Sequence, residues 1–186
     1  MNWHRLPGWL FALVQFLPLS LFATYAFWNG APDELRWQQA FEIASLAAIA
    51  QLAIVLPQSR PANRLVLAAN LYLMLGGLAF LTRQWWYLQI YDALQESAIF
   101  VVMLCVGIGA TLFTRSGFAA LMHASRQAVI RASLWMLLAT VLALGASVAF
   151  RGNRNLAAVL PIVCLAVLQR SLVFRAGRQG VAASDG

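Results

Sequence analysis

The chain has 186 residues, of which 62% are hydrophobic and only 10% are charged, and its mean hydropathy is +0.73. A soluble domain carries roughly 25% charged residues. The composition therefore excludes a water-soluble globule, a disordered chain and a disulfide-linked scaffold, and it indicates an integral membrane protein. The formal net charge of +7 rests on 13 basic residues, all of them Arg. They lie almost wholly between apolar runs, so we expect no surface for nucleic acid.

Six apolar segments qualify as transmembrane helices, which need about 20 residues. In chain order they cover approximately residues 8–28, 40–56, 65–82, 97–114, 132–150 and 156–174. Because lipid cannot satisfy open backbone groups, each segment is predicted to be helical. The first is longer than a signal-peptide core, so we expect it to be retained rather than cleaved. The second helix is predicted to begin early, near Pro32, because Asp33 and Glu34 suit a helix start. The predicted fold is all-α, with one six-helix transmembrane domain over 1–175 and a flexible cytoplasmic tail over 176–186.

The connection at residues 83–96 is rich in aromatic side chains. Trp and Tyr concentrate where a membrane meets water, because their rings are apolar and their N–H or O–H groups are polar. We therefore predict that Trp85 and Trp86 anchor the protein at a membrane surface.

The connection at residues 115–131 places four apolar side chains at helical spacing: Phe118, Leu121, Met122 and Val129. Arg115, Arg126 and Arg131 lie along the same segment. This pattern predicts a short amphipathic helix in the membrane interface between the fourth and fifth spans, with the three Arg as membrane-surface anchors. The alternative is a solvated linker.

The Arg residues are unequally divided between the two sides of the predicted membrane. The side that holds the N terminus has eight: Arg5, Arg60, Arg64, Arg115, Arg126, Arg131, Arg175 and Arg178. The other side has four: Arg36, Arg83, Arg151 and Arg154. Since cytoplasmic segments carry the excess of positive charge, we predict a multi-pass membrane protein with both termini in the cytoplasm and with membrane lipids as partners.

Two carboxylates are candidates for an ion site, because ionisable groups in a bilayer are costly and are often functional. Glu42 lies in the second segment, and Glu96 comes just before the fourth. One hypothesis is a proton or cation site in an outward-facing cavity. The alternative is that both are interfacial carboxylates, hydrated or paired with Arg36 or Arg83.

Three amide side chains lie deeper in the apolar segments: Gln15, Gln51 and Asn70. Amides in transmembrane helices hydrogen-bond to neighbouring helices and contribute about 0.6–2 kcal/mol each. We expect them to join helices, and the alternative is that they line a substrate pocket.

The sequence gives little support for catalysis. The two histidines, His4 and His123, lie outside the predicted spans, and Cys105 and Cys164 are single cysteines within apolar runs. Buried single cysteines usually act as small hydrophobic residues. No spacing typical of a nucleophilic or metal-assisted enzyme occurs in the sequence. We therefore predict a protein that is not an enzyme and has neither a metal site nor a cofactor.

Three short runs resemble a known family. They are Gln-Phe-Leu-Pro-Leu at 15–19, Leu-Gly-Gly-Leu-Ala-Phe at 75–80 with the aromatic segment that follows it, and Ser-Leu-Trp at 133–135. These runs resemble the bacterial intracellular septation protein A family of small polytopic inner-membrane proteins, mainly over the first 110 residues. The resemblance implies a role in envelope integrity and cell division, and it implies no catalytic residues.

Two functions follow from these observations as hypotheses. The first is a non-enzymatic inner-membrane protein that supports the cell envelope or cell division through other inner-membrane proteins or through self-association. The alternative is a subunit of a small-solute or ion transporter or channel. A transporter should arrange its deep polar side chains around one continuous cavity, whereas a scaffold should fill that space with packed side chains.

Overall fold

In a computed structural model, the described residues are 8–28, 30, 33–55, 63–121, 124–153 and 155–182, with the backbone alone described for 8–13 and 177–182. In these ranges the chain is mostly helical and forms no strand, which confirms the all-α prediction. The contacts group the chain in two compact units, Met1–Leu94 and Gln95–Gly186. The prediction of a single domain over 1–175 stays a prediction.

The first unit contains four helices: α1 (Gly8–Phe27), α2 (Glu34–Val55), α3 (Arg64–Leu81) and α4 (Trp85–Leu94). The second contains a 3₁₀ turn (Gln95–Ser97), α5 (Ala98–Phe113), α6 (Arg126–Ala149), a π-helical turn (Asn155–Val159) and α7 (Leu160–Ala182). α7 therefore continues into the segment for which the composition predicts a flexible tail, and residues 183–186 lie outside the described part.

Five helical stretches are long and apolar enough to cross a membrane: Glu34–Val55, Arg64–Leu81, Trp85–Phe113, Arg126–Ala149 and Asn155–Ala176. In α1, the apolar stretch with described side chains is the shorter Val14–Phe27. These lengths fit a multi-pass membrane protein. The stretch Trp85–Phe113 is longer than the fourth predicted segment, 97–114, because the aromatic connection at 83–96 is itself mostly helical as α4.

Polar side chains fix where three helices begin. The carboxylate of Asp33 accepts a hydrogen bond from the backbone N–H of Arg36 at 2.8 Å, at the start of α2. Asn63 caps α3 by accepting from Leu65 N at 2.9 Å, and Ser125 caps α6 by accepting from Ala128 N. Such side chains satisfy backbone donors that have no partner within the helix. The early start predicted for the second helix agrees with Glu34 as its first residue, whereas Pro32 lies outside the described residues.

Phe41 is the centre of the first unit and is fully buried. Five aromatic rings lie with their centroids 4.8–5.9 Å from it: Phe22, Trp37, Tyr72, Phe80 and Tyr91. The Phe41 ring also covers Gly76 of α3, and the Ser45 side chain covers the neighbouring Gly77. A methyl group at Gly76 would overlap the Phe41 ring, and one at Gly77 would lie 2.6 Å from the Ser45 Cβ. The absence of side chains at these two glycines is therefore what lets α2 and α3 approach each other.

The second unit repeats this kind of contact between a glycine and a ring. Phe118 is fully buried, and a Cβ at Gly107 of α5 would lie 2.8 Å from its ring. The Ser133 hydroxyl on α6 accepts the backbone N–H of Phe118 at 3.0 Å. The segment after α5 is thus held against α5 and α6.

The amphipathic helix predicted for 115–131 is not confirmed. Residues 115–120 form turns, because Gly117 and Ala120 have positive φ values of 62° and 57°, which are incompatible with a right-handed helix. Residues 126–131 instead form the start of α6. The apolar side chains of Phe118, Leu121 and Val129 are buried in the protein, and Met122 lies outside the described residues.

A substitution at Gly76 tests the contact with Phe41. Gly76→Ala should lower the free energy of unfolding by about 1–3 kcal/mol, because the added methyl group must displace a buried ring. The matched control is Gly145→Ala in α6, where a Cβ meets nothing within 4 Å. This control should be neutral or should stabilise the helix by up to about 1 kcal/mol. Thermal unfolding of the purified protein in detergent compares them, and equal stability of the two variants would contradict the packing described here.

Candidate functional site

The deepest polar contact in the first unit joins α2 to α3. The Asn70 side-chain amide donates a hydrogen bond to the Gln51 side-chain carbonyl. Asn70 is 1% exposed and Gln51 is 4% exposed. The two amides therefore join α2 to α3 by a direct hydrogen bond where water is excluded, the role that the sequence predicts for deep amides.

Gln15 is also buried, at 7% exposure. It lies on α1, which packs against both α2 and α3. All three predicted amides thus lie in the interior of the first unit.

Glu42 is half-buried on α2, directly after Phe41. Its carboxylate accepts a hydrogen bond of 2.7 Å from the side-chain amide of Gln38, one turn earlier on the same helix. The backbone carbonyl of Glu42 accepts the Ser45 hydroxyl at 2.9 Å. These contacts are local to α2, and neither involves the Gln51–Asn70 pair.

Glu96 lies in the 3₁₀ turn at the start of the second unit. Its Oε2 atom is buried and has no hydrogen-bond partner. The turn packs against α6 and against the π-helical turn. The Ser147 hydroxyl, near the end of α6, is also buried without a partner. Glu42 and Glu96 therefore belong to different compact units and have different surroundings.

The predicted surface anchors are exposed, as anchors must be. Trp85 and Trp86 are 57% and 63% exposed, and Arg115, Arg126 and Arg131 are exposed as well. The Arg126 guanidinium has an additional role that sequence reasoning missed. It donates to the backbone carbonyls of Thr114 and Thr111 at 2.9 and 3.2 Å, and so it satisfies acceptors at the end of α5.

Sequence reasoning also missed that the aromatic side chains around Phe41 form one cluster. Tyr72 and Tyr91 stack with ring centroids 5.0 Å apart, and the Tyr91 hydroxyl donates to the backbone carbonyl of Tyr72 at 3.1 Å. The sequence signal was the row of aromatics at 83–96, which we assigned wholly to the membrane surface. Half of that row, Tyr87 and Tyr91, instead packs inward.

A cavity of about 430 Å³ opens in the first unit, where the end of α1 meets the start of α2. Its polar lining includes Tyr25, Asp33, Arg36 and Gln39. The five predicted polar candidates are not among its lining residues, so the cavity is separate from the buried amides and from both glutamates.

Metal-binding side chains do not cluster in the part of the chain that the structure describes: no group of three or more His, Cys, Asp or Glu residues lies together there. Cys105 and Cys164 are free and exposed, rather than buried as predicted. His4 and His123 lie outside the described residues. The chain matches no protein-family model, no characterised protein and no solved structure.

The Gln51–Asn70 contact makes a quantitative prediction. Gln51→Ala or Asn70→Ala should leave one buried amide without its partner, so the two substitutions should be non-additive. A double-mutant cycle on the free energy of unfolding should give a coupling of about 0.6–2 kcal/mol. The control cycle pairs Asn70→Ala with Gln89→Ala, an exposed amide on α4, and should be additive. Equal coupling in both cycles would show that the contact contributes nothing specific.

Proposed function

We propose that the protein is a multi-pass bacterial inner-membrane protein with six spans and both termini in the cytoplasm. Five candidate spans and the apolar part of α1 support the number of spans. The uneven distribution of Arg supports the orientation. An even number of spans puts the two termini on the same side.

Within that membrane, the proposed role is non-enzymatic: the protein supports the cell envelope or cell division through contacts with neighbouring membrane proteins or with other copies of itself. The observation that carries this proposal is the Gln51–Asn70 pair. Two deep amides that bond directly to each other are engaged in helix packing, and that is the arrangement expected of a scaffold rather than of a solute pathway.

The helix surfaces support the same proposal. α6 exposes a row of large apolar side chains: Leu134, Leu138, Val141, Leu142 and Val148. In a bilayer such a row faces lipid or a neighbouring helix, and association there depends on close packing because lipid tails are as apolar as leucine. A long apolar face is therefore available for lateral contacts.

The resemblance to the septation protein A family supports cell division or envelope integrity as the process in which the protein acts. Its second run includes Gly76 and Gly77, the two glycines that Phe41 and Ser45 cover. These positions thus have a packing role in this chain, which fits a family resemblance that implies no catalytic residues.

One observation favours a second candidate function, the passage of an ion or a small solute. The buried Oε2 atom of Glu96 has no hydrogen-bond partner, and neither has the Ser147 hydroxyl. Buried polar groups without partners are rare, and in membranes they often mark ion or proton sites. A π-helical turn, a feature common at functional sites, packs against the turn that holds Glu96.

Deletion of the gene in its native bacterium, followed by complementation, tests the proposal. We expect elongated or chained cells, or cells sensitive to detergent and osmotic shock, and a return to normal on expression of the wild-type chain. Glu96→Gln should complement equally well, because a scaffold does not need the charge of this carboxylate. Microscopy and survival assays measure both, with protein abundance checked by immunoblot.

Two outcomes count against the proposal. Unchanged division and envelope resistance in the deletion strain would remove the scaffold role. A Glu96→Gln chain that is abundant but fails to complement would favour the second candidate function instead.

A further inference from the structure

The cavity between α1 and α2 combines an apolar wall with charged groups. Leu21 and Leu35 line its apolar side. Trp28, which is 77% exposed, also lines it. The cavity lies where the apolar part of α1 ends and the candidate span of α2 begins. The proposed six-span topology puts this position at the boundary between lipid tails and headgroups. Its volume of about 430 Å³ is within the usual range for small-ligand sites.

Arg36 gives this cavity a cation with unused hydrogen-bonding capacity. Its Nη1 atom is buried and has no hydrogen-bond partner. A guanidinium holds phosphate oxygens well, because its planar N–H donors can bond two of them in parallel. The lining therefore offers a site for a phosphate group.

Asp33 gives the same cavity an anion. One of its carboxylate oxygens accepts the backbone N–H of Arg36 at 2.8 Å, and a carboxylate has further lone pairs for other donors. A ligand with a phosphate alone would bring its negative charge close to this carboxylate. A ligand that also carries an ammonium group matches both charges.

Gln39 and Tyr25 extend the polar side of the cavity. The Tyr25 hydroxyl donates to the Gln39 side-chain carbonyl at 2.8 Å. This contact orients the Gln39 amide and leaves its N–H₂ group as a donor for a further acceptor, such as a phosphate or ester oxygen.

We propose that this cavity binds a phospholipid with an amine-bearing, zwitterionic headgroup of the phosphoethanolamine type. In this assignment the phosphate bonds to Arg36, the ammonium lies near Asp33, and the first part of an acyl chain covers Leu21 and Leu35. The assignment rests on the proposed membrane topology, but it is independent of the proposed scaffold role, since it uses none of the residues that carry that role.

The test measures how lipids stabilise the purified full-length protein in detergent, from its thermal unfolding as a function of lipid concentration. Phosphatidylethanolamine should stabilise the wild-type chain at lower concentration than phosphatidylglycerol, which has no ammonium group. Arg36→Gln should raise the concentration needed for either lipid about tenfold or more, because hydrogen bonds to charged groups are among the stronger ones. The control is Arg83→Gln, an exposed Arg of the same unit outside the cavity lining, which should behave like the wild type.

Asp33→Asn is the sharper variant, since Asn caps helices as well as Asp does and the fold should be retained. It should remove the preference for phosphatidylethanolamine over phosphatidylglycerol. Soluble phosphoethanolamine should stabilise the wild type only at much higher concentration, because it lacks the acyl chain. The proposal fails if Arg36→Gln binds both lipids like the wild type, if Asp33→Asn keeps the preference, or if soluble phosphoethanolamine acts as strongly as the lipid.

Discussion

Two adjacent glycines, one under a phenylalanine ring and the other under a serine side chain, hold the first unit together. Phe41 is fully buried and its ring lies against Gly76, while Ser45 lies against Gly77, so closely that neither position has room for a side chain. In a bilayer the hydrophobic effect does not distinguish a lipid tail from a leucine, so close packing must supply the association between helices. The approach of α2 to α3, and the aromatic cluster that joins α1 and α4 to them, both depend on this contact.

The close contact between α2 and α3 also determines what the deep polar side chains can do. Because α2 and α3 lie close together, Gln51 and Asn70 reach each other and form a direct hydrogen bond. The second unit uses a similar device, with Phe118 against Gly107 and Ser133 accepting the backbone N–H of that Phe. These polar groups thus serve the packing of helices, and this is why we favour a scaffold over a solute pathway.

The sequence predicted the helices well, because long apolar runs have few alternatives in lipid and cap residues such as Ser125 mark where helices begin. The amphipathic helix predicted at 115–131 is not confirmed, because helical spacing of apolar residues also arises in a turn once Gly117 and Ala120 adopt positive φ. For the candidate site, burial of the amides was predictable from their position in apolar runs. The pairing of Gln51 with Asn70, and the cavity beside α2, depend on which helix faces meet, and a single sequence does not encode this in any local pattern.

The central claim is that the polar interior serves packing and forms no path for solutes. The most direct measurement is flux through proteoliposomes that contain the full-length protein, with imposed gradients of protons, Na⁺ and K⁺ and with a matching indicator dye inside. The account predicts fluxes equal to those of protein-free liposomes in all three cases. Flux above that level, and above all a flux that Glu96→Gln abolishes, would contradict it.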